Sequence, residues 1–448
     1  MSLNAGISRL PINPFPGVEL AGWGYYIERK WERIRDDLQV TALVLEDGQN
    51  AIAILAFDLL VIDEAFTRRT RTRIQQATGI QPQAILLSAS HSHNAPAAGN
   101  LLGVGVVNPD YVDWVSRQAA QAAISAWSKR QTVRLHSTGC EVEGLTFNRT
   151  FKNGPVDSRL TLLRLDDRTG RPLALVVNYQ SHPTVLTKLY PTAVSRDVPG
   201  GICDILERTL PGTTALYLQG ACGNVNFLPS FSAPERCNLP AETIAEAALQ
   251  AMEKAQPIRN PTIASRSLRI RLPTRRWSEK EILGPLEEAK CRLEQNGIEG
   301  WLEGIGRAMT NRPEDMIARH GGDELKAVCA MRRFFIEWGE LALEDRVTRP
   351  EYLETEVQGF RIGDLAIAAH SSELFVTFGL DLRHQCPTQQ LMIAGYSNGR
   401  IGYVADARDI QAQGYAAYQS PKYCNQFPFS ERSGPVLTNS MSKLLHNL

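Results

Sequence analysis

The sequence lacks the features that mark several large classes of protein. Lys and Arg together number 48 of 448 residues, and so do Asp and Glu, so the formal net charge is zero. This balance gives no electrostatic reason to expect nucleic acid or an anionic membrane as the main partner. No apolar stretch approaches the roughly 18 to 20 residues that span a bilayer, and runs such as Ala51–Leu60 have the length of strands. We therefore expect a soluble protein without a membrane span or a nucleic-acid partner.

Signals for export and for disulfide formation are also missing. The N-terminus has no basic segment followed by an apolar block of about 7 to 15 residues, which is the pattern of a secretory signal. The eight cysteines are scattered and form no CxxC pair. Since disulfides are rare in the cytosol, we expect reduced, mostly buried thiols and a cytoplasmic location.

Strand-like and helix-like segments alternate along the first 270 residues. Val40–Leu45 and Ala51–Phe57 flank a turn-rich segment and predict a hairpin. Ala65–Thr78 has helical periodicity and ends at Gly79, a typical helix stop. A second hairpin is predicted further along, and we find no internal repeat. The alternation favours an α/β fold, with mixed α+β layers.

The character of the sequence changes between Trp277 and Glu344. Charged and apolar residues recur there at helical spacing, over Glu281–Gln295 and Glu324–Leu343. We predict a helical insertion at 277–344 within a catalytic domain formed by 1–276 and 345–448. The insertion could cap a pocket as a lid, decorate the surface, or contact a second copy of the chain. If the chain forms a homo-oligomer, a dimer is the commonest form.

Three of the eight histidines follow apolar strands, where loops build functional sites. His91 and His93 come just after the predicted strand Ala84–Ser88, and their spacing turns both to one side if the chain stays extended. His182 ends a second apolar strand. A catalytic zinc takes three protein ligands and keeps a position for water or substrate. The three histidines, with a carboxylate such as Glu373, therefore predict a zinc site.

Several short blocks recur in the order found in one known family. The chain resembles the neutral, non-lysosomal ceramidases and their shorter bacterial relatives. The matching blocks are Ser88-Ala-Ser-His-Ser-His93, Asn148-Arg-Thr150, Asn178-Tyr-Gln-Ser-His-Pro183, Ser195-Arg-Asp197 with Gly200, Gly223-Asn-Val-Asn-Phe227, Ser397-Asn-Gly-Arg-Ile-Gly-Tyr403 and Gln413-Gly-Tyr415.

The resemblance implies a ceramidase-like fold and hydrolysis of an amide at a single zinc ion. The ligands that it implies are His91, His182, Glu373 and Tyr403. By the same resemblance, His93 orients water or shuttles a proton. Arg149 and Tyr415 then hold the substrate carbonyl and its developing oxyanion. Imidazole, guanidinium and phenol groups suit these roles.

The chain departs from the ceramidase pattern at three points. Asn226 stands where the family has a serine implicated in catalysis, and Arg400 replaces the first tyrosine of the SN-x-Y-x-x-Y element. The chain also has no room after Tyr415 for the extra C-terminal β-domain of true ceramidases. We expect Asn226 and Arg400 to contact substrate, and we expect a small-molecule amide rather than ceramide.

Other functions remain open from the sequence. A metal-dependent ester or lactone hydrolase would use the same chemistry, and a non-catalytic zinc- or ligand-binding relative would lack the family serine. Barrel amidohydrolases need further histidines at strand ends and a late aspartate, and among the other histidines only His370 comes close to such a position. The metallo-β-lactamase pattern HxHxDH is broken here by Asn94-Ala-Pro96.

Overall fold

The computed structural model describes residues 3–258, 261–295 and 313–448. Over these residues the chain forms a mixed α/β structure, as predicted, with three sheets of four or five strands each. We call them the N-terminal, central and C-terminal sheets. In spatial order, the N-terminal sheet contains Ile85–Ala89, Ala51–Phe57, Gln39–Glu46, Asn4–Pro11 and Gln131–Thr132.

The other two sheets contain the remaining long strands. The central sheet contains Thr214–Gln219, Pro172–Tyr179, Arg159–Asp166, Arg134–Glu141 and Gln256–Pro257 in spatial order. The C-terminal sheet contains Ile263–Pro273, Tyr352–Ile362, Leu365–His370 and Gln390–Ala394. Both predicted hairpins are confirmed, since each pairs its two strands antiparallel.

Each sheet ends in one parallel pair of strands, and a helix connects the two strands of that pair. The connecting helices are Glu64–Thr78, Asp197–Thr209 and Val376–Gln385. Parallel strands need such a crossover because the end of the first strand and the start of the second lie at opposite ends of the sheet. The two strands of each pair therefore have their carboxyl ends on the same side of the sheet, where loops follow them. The same unit therefore occurs three times, although the sequence contains no visible repeat.

The three sheets meet at these parallel edges. Gly395 N donates to Gln219 O at 2.8 Å, which joins the C-terminal sheet to the central one. Ala89 N donates to Tyr396 O at 3.1 Å and joins the N-terminal sheet to the C-terminal one. Loops from three separate sheets are thereby brought to one place.

Short strand pairs and further helices complete the described residues. The short pairs are Arg33–Ile34 with Ala193–Val194, Thr146–Asn148 with Val225–Phe227, and Glu373–Leu374 with Tyr403–Val404. The other described α-helices outside 277–344 are Pro109–Ser128, Val185–Leu189, Leu239–Glu253, Ala407–Gln411, Ser420–Tyr423 and Ser433–His446, and a π-helix spans Tyr415–Gln419. Buried apolar side chains form three clusters. The largest contains residues of all three large sheets, and the other two lie against the central and the C-terminal sheet.

Helices occupy the described part of segment 277–344, at Glu279–Gln295, Pro313–Arg319 and Glu324–Asp345, while residues 296–312 lie outside the description. Phe334 packs edge-on against Tyr25, with ring centroids 4.9 Å apart, and lies 5.0 Å from Tyr423. The helix Glu324–Asp345 therefore contacts the loop of Tyr25 and the short helix Ser420–Tyr423. No described helix is both long and apolar enough to cross a bilayer.

A fully buried histidine ends the strand Leu365–His370. Its Nδ1 accepts a hydrogen bond from Ser372 Oγ at 2.8 Å, and burial lowers the pKa of His370 to about 3. In the unfolded chain the pKa of histidine is about 6.5, so between these values only the unfolded state binds the proton. The stability that neutral His370 contributes is therefore lost as the pH falls from about 6.5 towards 3.

We expect His370→Asn to reduce the acid sensitivity of the fold, because the amide oxygen can accept the same bond without titrating. Between pH 7 and pH 5 the metal-free variant should lose about 2 kcal/mol less unfolding free energy than the wild type. Urea unfolding at both pH values measures this difference. The matched control is His384→Asn at an exposed position, which should keep the full acid loss. Equal losses in His370→Asn and the wild type would show that this interpretation is wrong.

Candidate metal centre

His91 and His182 lie where the three sheets meet, and they follow strands of two different sheets. His91 follows the strand Ile85–Ala89, and His182 follows Pro172–Tyr179. Each ring donates its Nδ1 proton to a backbone carbonyl: His91 to Leu60 O at 2.9 Å and His182 to Cys222 O at 2.6 Å. This arrangement fixes the tautomer and leaves each Nε2 free to bind a metal.

A carboxylate from the C-terminal sheet closes the cluster. Glu373 Oε2 lies 3.3 Å from His91 Nε2 and 3.4 Å from His182 Nε2. Burial opposes ionisation of Glu373, but the imidazoles beside it outweigh burial and hold the pKa of its carboxyl well below the usual range. Burial and the charge of Arg149 lower the pKa of His182 to about 3. At neutral pH the cluster therefore presents a carboxylate and a neutral imidazole.

Tyr403 stands opposite Glu373 because the two residues pair in a short parallel ladder. Its hydroxyl oxygen lies 3.4 Å from His182 Nε2 and accepts a hydrogen bond from Arg149 Nη2 at 2.8 Å. Burial raises the pKa of Tyr403 well above its usual value, although Arg149 partly opposes the shift. Four donor atoms, from His91, His182, Glu373 and Tyr403, thus face one small volume.

His93 also reaches this volume. Its Nε2 lies 3.2 Å from His91 Nε2, and the three histidines together form a group with the spacing of metal ligands. Among the described residues, however, its buried Nδ1 has no hydrogen-bond partner of standard geometry and lies against Gly22, where a Cβ would come within 2.9 Å. Burial and the nearby charges of His91 and His182 lower the pKa of His93 well below its usual value. His93 is therefore a neutral imidazole whose Nδ1 lies against Gly22 and makes no hydrogen bond of standard geometry to any described residue, unlike the Nδ1 atoms of His91 and His182.

The route by which His91 and His93 converge corrects the sequence-based expectation. We expected an extended chain that turns both side chains to one face. Instead, the backbone of His91 is in the left-handed region, at φ 65°, two residues after the strand Ile85–Ala89 ends. The convergence comes from this turn, which is uncommon for a residue other than glycine and is typical of functional sites.

Arg149 and Tyr415 flank Tyr403. Arg149 Nη2 donates to Gly223 O at 2.8 Å as well as to Tyr403, and its backbone N donates to Asn224 O. Burial lowers the pKa of Arg149, but Tyr403 and other neighbours outweigh it and the net shift is upward, so the guanidinium stays charged. The ring of Tyr415 meets that of Tyr403 edge-on, with centroids 5.8 Å apart. Both residues contact Tyr403, and the catalytic roles expected for them stay predictions.

Asn226 and Arg400 have different positions. Asn226 forms an isolated backbone bridge with His182, and its buried Oδ1 has no partner among the described residues. Arg400 lines two surface grooves of about 490 and 610 Å³. Glu64 and Glu354 line both grooves as well, and the described linings include none of the four proposed ligands and not His93. The structure thus places Asn226 next to the cluster and Arg400 along neighbouring grooves. Substrate contact remains a prediction for both.

Residues Gly395–Gly399 match the G-x-S-x-G pattern of serine hydrolases, which carries no nucleophile here. Ser397 is completely buried, and its hydroxyl donates to the backbone oxygen of Gly395 at 3.0 Å. A nucleophile elbow instead exposes its serine on a turn from a strand into a helix. The segment instead contributes Tyr396, whose ring stacks on the imidazole of His91.

The donor set fits a zinc ion. Ligands bound at 2.0–2.1 Å around a tetrahedral ion lie about 3.3–3.4 Å apart, and the Glu373 and Tyr403 oxygens keep that spacing from His182 Nε2. Within the described residues, Glu373 Oε2 is buried and has no hydrogen bond of standard geometry. A buried ionised oxygen without such a bond is costly unless a cation lies beside it.

Comparison with known proteins gives the fold. No protein-family model matches the chain, and no curated protein matches it by sequence. The solved structure of neutral ceramidase from Pseudomonas aeruginosa superposes with a TM-score of 0.73 at 17% identity, covering 99% of this chain and 74% of that one. The chain has the fold of that ceramidase. A structure described as ceramidase complexed with C2 gives a TM-score of 0.72 at 17% identity, with 99% and 75% coverage.

The sequence-based reasoning missed the groups that hold the donors in place. The carbonyls of Leu60 and Cys222 left no signal, since any residue can supply a backbone oxygen. Gly22 could have been suspected only as an isolated glycine, and its contact with His93 spans 71 positions. Tyr396 lies next to one of the blocks that resemble the ceramidases, but no sequence pattern singled it out.

Proposed function

We propose that the chain is a zinc-dependent hydrolase that cleaves the amide bond of a small molecule. The observation that carries this proposal is the set of four donor atoms from His91, His182, Glu373 and Tyr403, held at ligand spacing with both imidazoles oriented by backbone carbonyls. The ceramidase fold supports amide hydrolysis as the reaction. Nothing in this proposal requires a membrane or nucleic acid, and we propose a cytoplasmic location.

Zinc bound to these residues would polarise a carbonyl oxygen and acidify water for attack on the carbonyl carbon. The chain's own groups then act on the substrate. His93 is neutral and lies beside the proposed ligands, so its imidazole can accept the proton of the attacking water and return it to the departing amine. An amine leaves readily only when it is protonated, which makes this transfer essential for an amide.

Arg149 and Tyr415 are placed to bind the carbonyl oxygen as it becomes negative. Arg149 is charged, and its contacts with Gly223 O and Tyr403 hold the guanidinium in one orientation. Donors that are positioned in advance stabilise the oxyanion without reorganising at the moment of reaction. Asn226 lies beside His182 and can bind a further polar group of the substrate through its side-chain amide.

The substrate that we propose is an amide smaller than ceramide. Asn226 replaces the family serine, Arg400 replaces a tyrosine, and helices of segment 277–344 pack on the loop of Tyr25 near His93. We propose that segment 277–344 restricts the site as a lid, while 1–276 and 345–448 form the catalytic domain. The chain spans about three-quarters of the length of the ceramidase chain.

Chelation provides the test of metal-dependent amide cleavage. The purified protein is screened against N-acyl amides of increasing acyl length, each paired with its ester. We expect turnover of a short amide that disappears after dialysis against a chelator and returns with one equivalent of zinc. Cleavage that survives complete removal of metal would overturn the zinc proposal. Turnover of esters without any amide would favour the ester or lactone hydrolase.

A further inference from the structure

Tyr396 is held in an unusual backbone conformation at the point where the three sheets meet. It follows the strand Gln390–Ala394, is only 1% exposed, and has φ 54°. A bulky side chain in the left-handed region costs about 1–3 kcal/mol and persists only where the surroundings enforce it. Such a residue needs a structural explanation.

The backbone of Tyr396 contacts the segments that carry two of the proposed ligands. Its carbonyl accepts from Ala89 N at 3.1 Å, two residues before His91. Its N–H points to Ser372 O at 3.5 Å, immediately before Glu373. The left-handed turn allows one residue to reach both segments.

The side chain of Tyr396 links the two histidines. Its ring stacks on the imidazole of His91, with centroids 3.9 Å apart and planes 25° from parallel. Its hydroxyl lies 3.1 Å from Cys222 Sγ, and the carbonyl of Cys222 orients His182. Gln219 Nε2 donates to the same sulfur at 2.8 Å and also to Ser181 O, next to His182.

We propose that Tyr396 is a positioning residue that fixes His91 and His182 relative to each other through its contact with Cys222, and thereby sets the affinity of the site for zinc. This inference rests on the proposed function, because it assumes that the two histidines bind the metal. The ring holds one imidazole by stacking. The hydroxyl acts on the other through the backbone of Cys222.

Zinc affinity of the metal-free protein tests the link. Competition with a chromophoric chelator gives the zinc Kd of the wild type, Tyr396→Phe, Cys222→Ala and the double variant. Changes to groups that orient metal ligands typically cost about 10–100-fold in affinity, and we expect each single variant to fall in this range. The double variant should be no weaker than the weaker single variant, since both changes break one connection.

The matched control is Tyr217→Phe. Tyr217 is also buried, and its hydroxyl donates to Tyr179 O at 2.9 Å, so this variant loses a buried hydroxyl in the central sheet without touching the donors. Thermal unfolding of the metal-free proteins should show comparable losses for Tyr217→Phe and Tyr396→Phe. Only Tyr396→Phe should bind zinc more weakly.

The outcomes separate the inference from the proposed function. If the wild type binds zinc and Tyr396→Phe binds it within about twofold of the same Kd, Tyr396 has no positioning role and the proposed function stands. Additive losses in the double variant would contradict the connection through Cys222. A wild type that binds no zinc would overturn both proposals.

Discussion

His182→Ala should abolish amide hydrolysis while leaving the fold intact. His182 supplies one of the proposed ligands and contacts two others, Glu373 and Tyr403. Without it, the remaining donors cannot hold the ion in the proposed geometry. We expect kcat/KM to fall by about 10³-fold or more, because several kcal/mol of transition-state stabilisation disappear. Steady-state kinetics on an amide substrate measure the loss.

Circular dichroism and thermal unfolding separate this loss from misfolding. The matched control is His136→Ala, in the strand Arg134–Glu141 of the same sheet, where the imidazole lies 3.5 Å from Asp166 and outside the metal group. The control should keep activity within a few fold of the wild type. Retained turnover in a folded His182→Ala protein would refute the proposed mechanism.

Arg149→Lys should lower kcat by about 10²–10³-fold with a smaller change in KM, as the loss of one oxyanion donor typically does. Lysine keeps the charge but lacks the planar guanidinium that binds Gly223 O and Tyr403 together. Binding of the carbonyl oxygen in the ground-state substrate should weaken little, whereas binding of the oxyanion in the transition state should weaken much more. Measuring kcat and KM separately distinguishes the two effects.

The control for this change is Arg164→Lys. Arg164 pairs with Asp166 at 2.6 Å in the central sheet, so the same substitution removes an ion pair away from the donors. Its kcat should equal that of the wild type within about twofold. If Arg149→Lys raises only KM, Arg149 binds the substrate uniformly and is not an oxyanion donor.

The sequence predicted much of the local structure because its hydrophobic patterning is clear. The strand Ala51–Phe57 and the helix ending at Thr78 with Gly79 as its stop were placed within one residue of the observed bounds. The positions of His91, His182 and Glu373 after strands were also evident. Strand ends are local features, and apolar runs mark them.

The geometry of the site could not be predicted, because it depends on contacts between distant parts of the chain. The left-handed backbone at His91 is not marked by a glycine in the sequence. Tyr396 and Cys222, whose side chains are in contact, lie 174 positions apart. The threefold use of one strand–helix–strand unit is visible only in the sheet topology. Arg400 lines grooves beside Glu64 and Glu354, and its contact with substrate stays a prediction.

The most direct test of the account is the metal content of the protein, purified without added metal or a polyhistidine tag. Elemental analysis of the wild type should give about one zinc per chain, and His91→Ala should lose it. Two metal ions per chain would contradict the single-ion site and favour binuclear chemistry. A protein that holds no zinc, even after zinc is added back, would contradict the central claim.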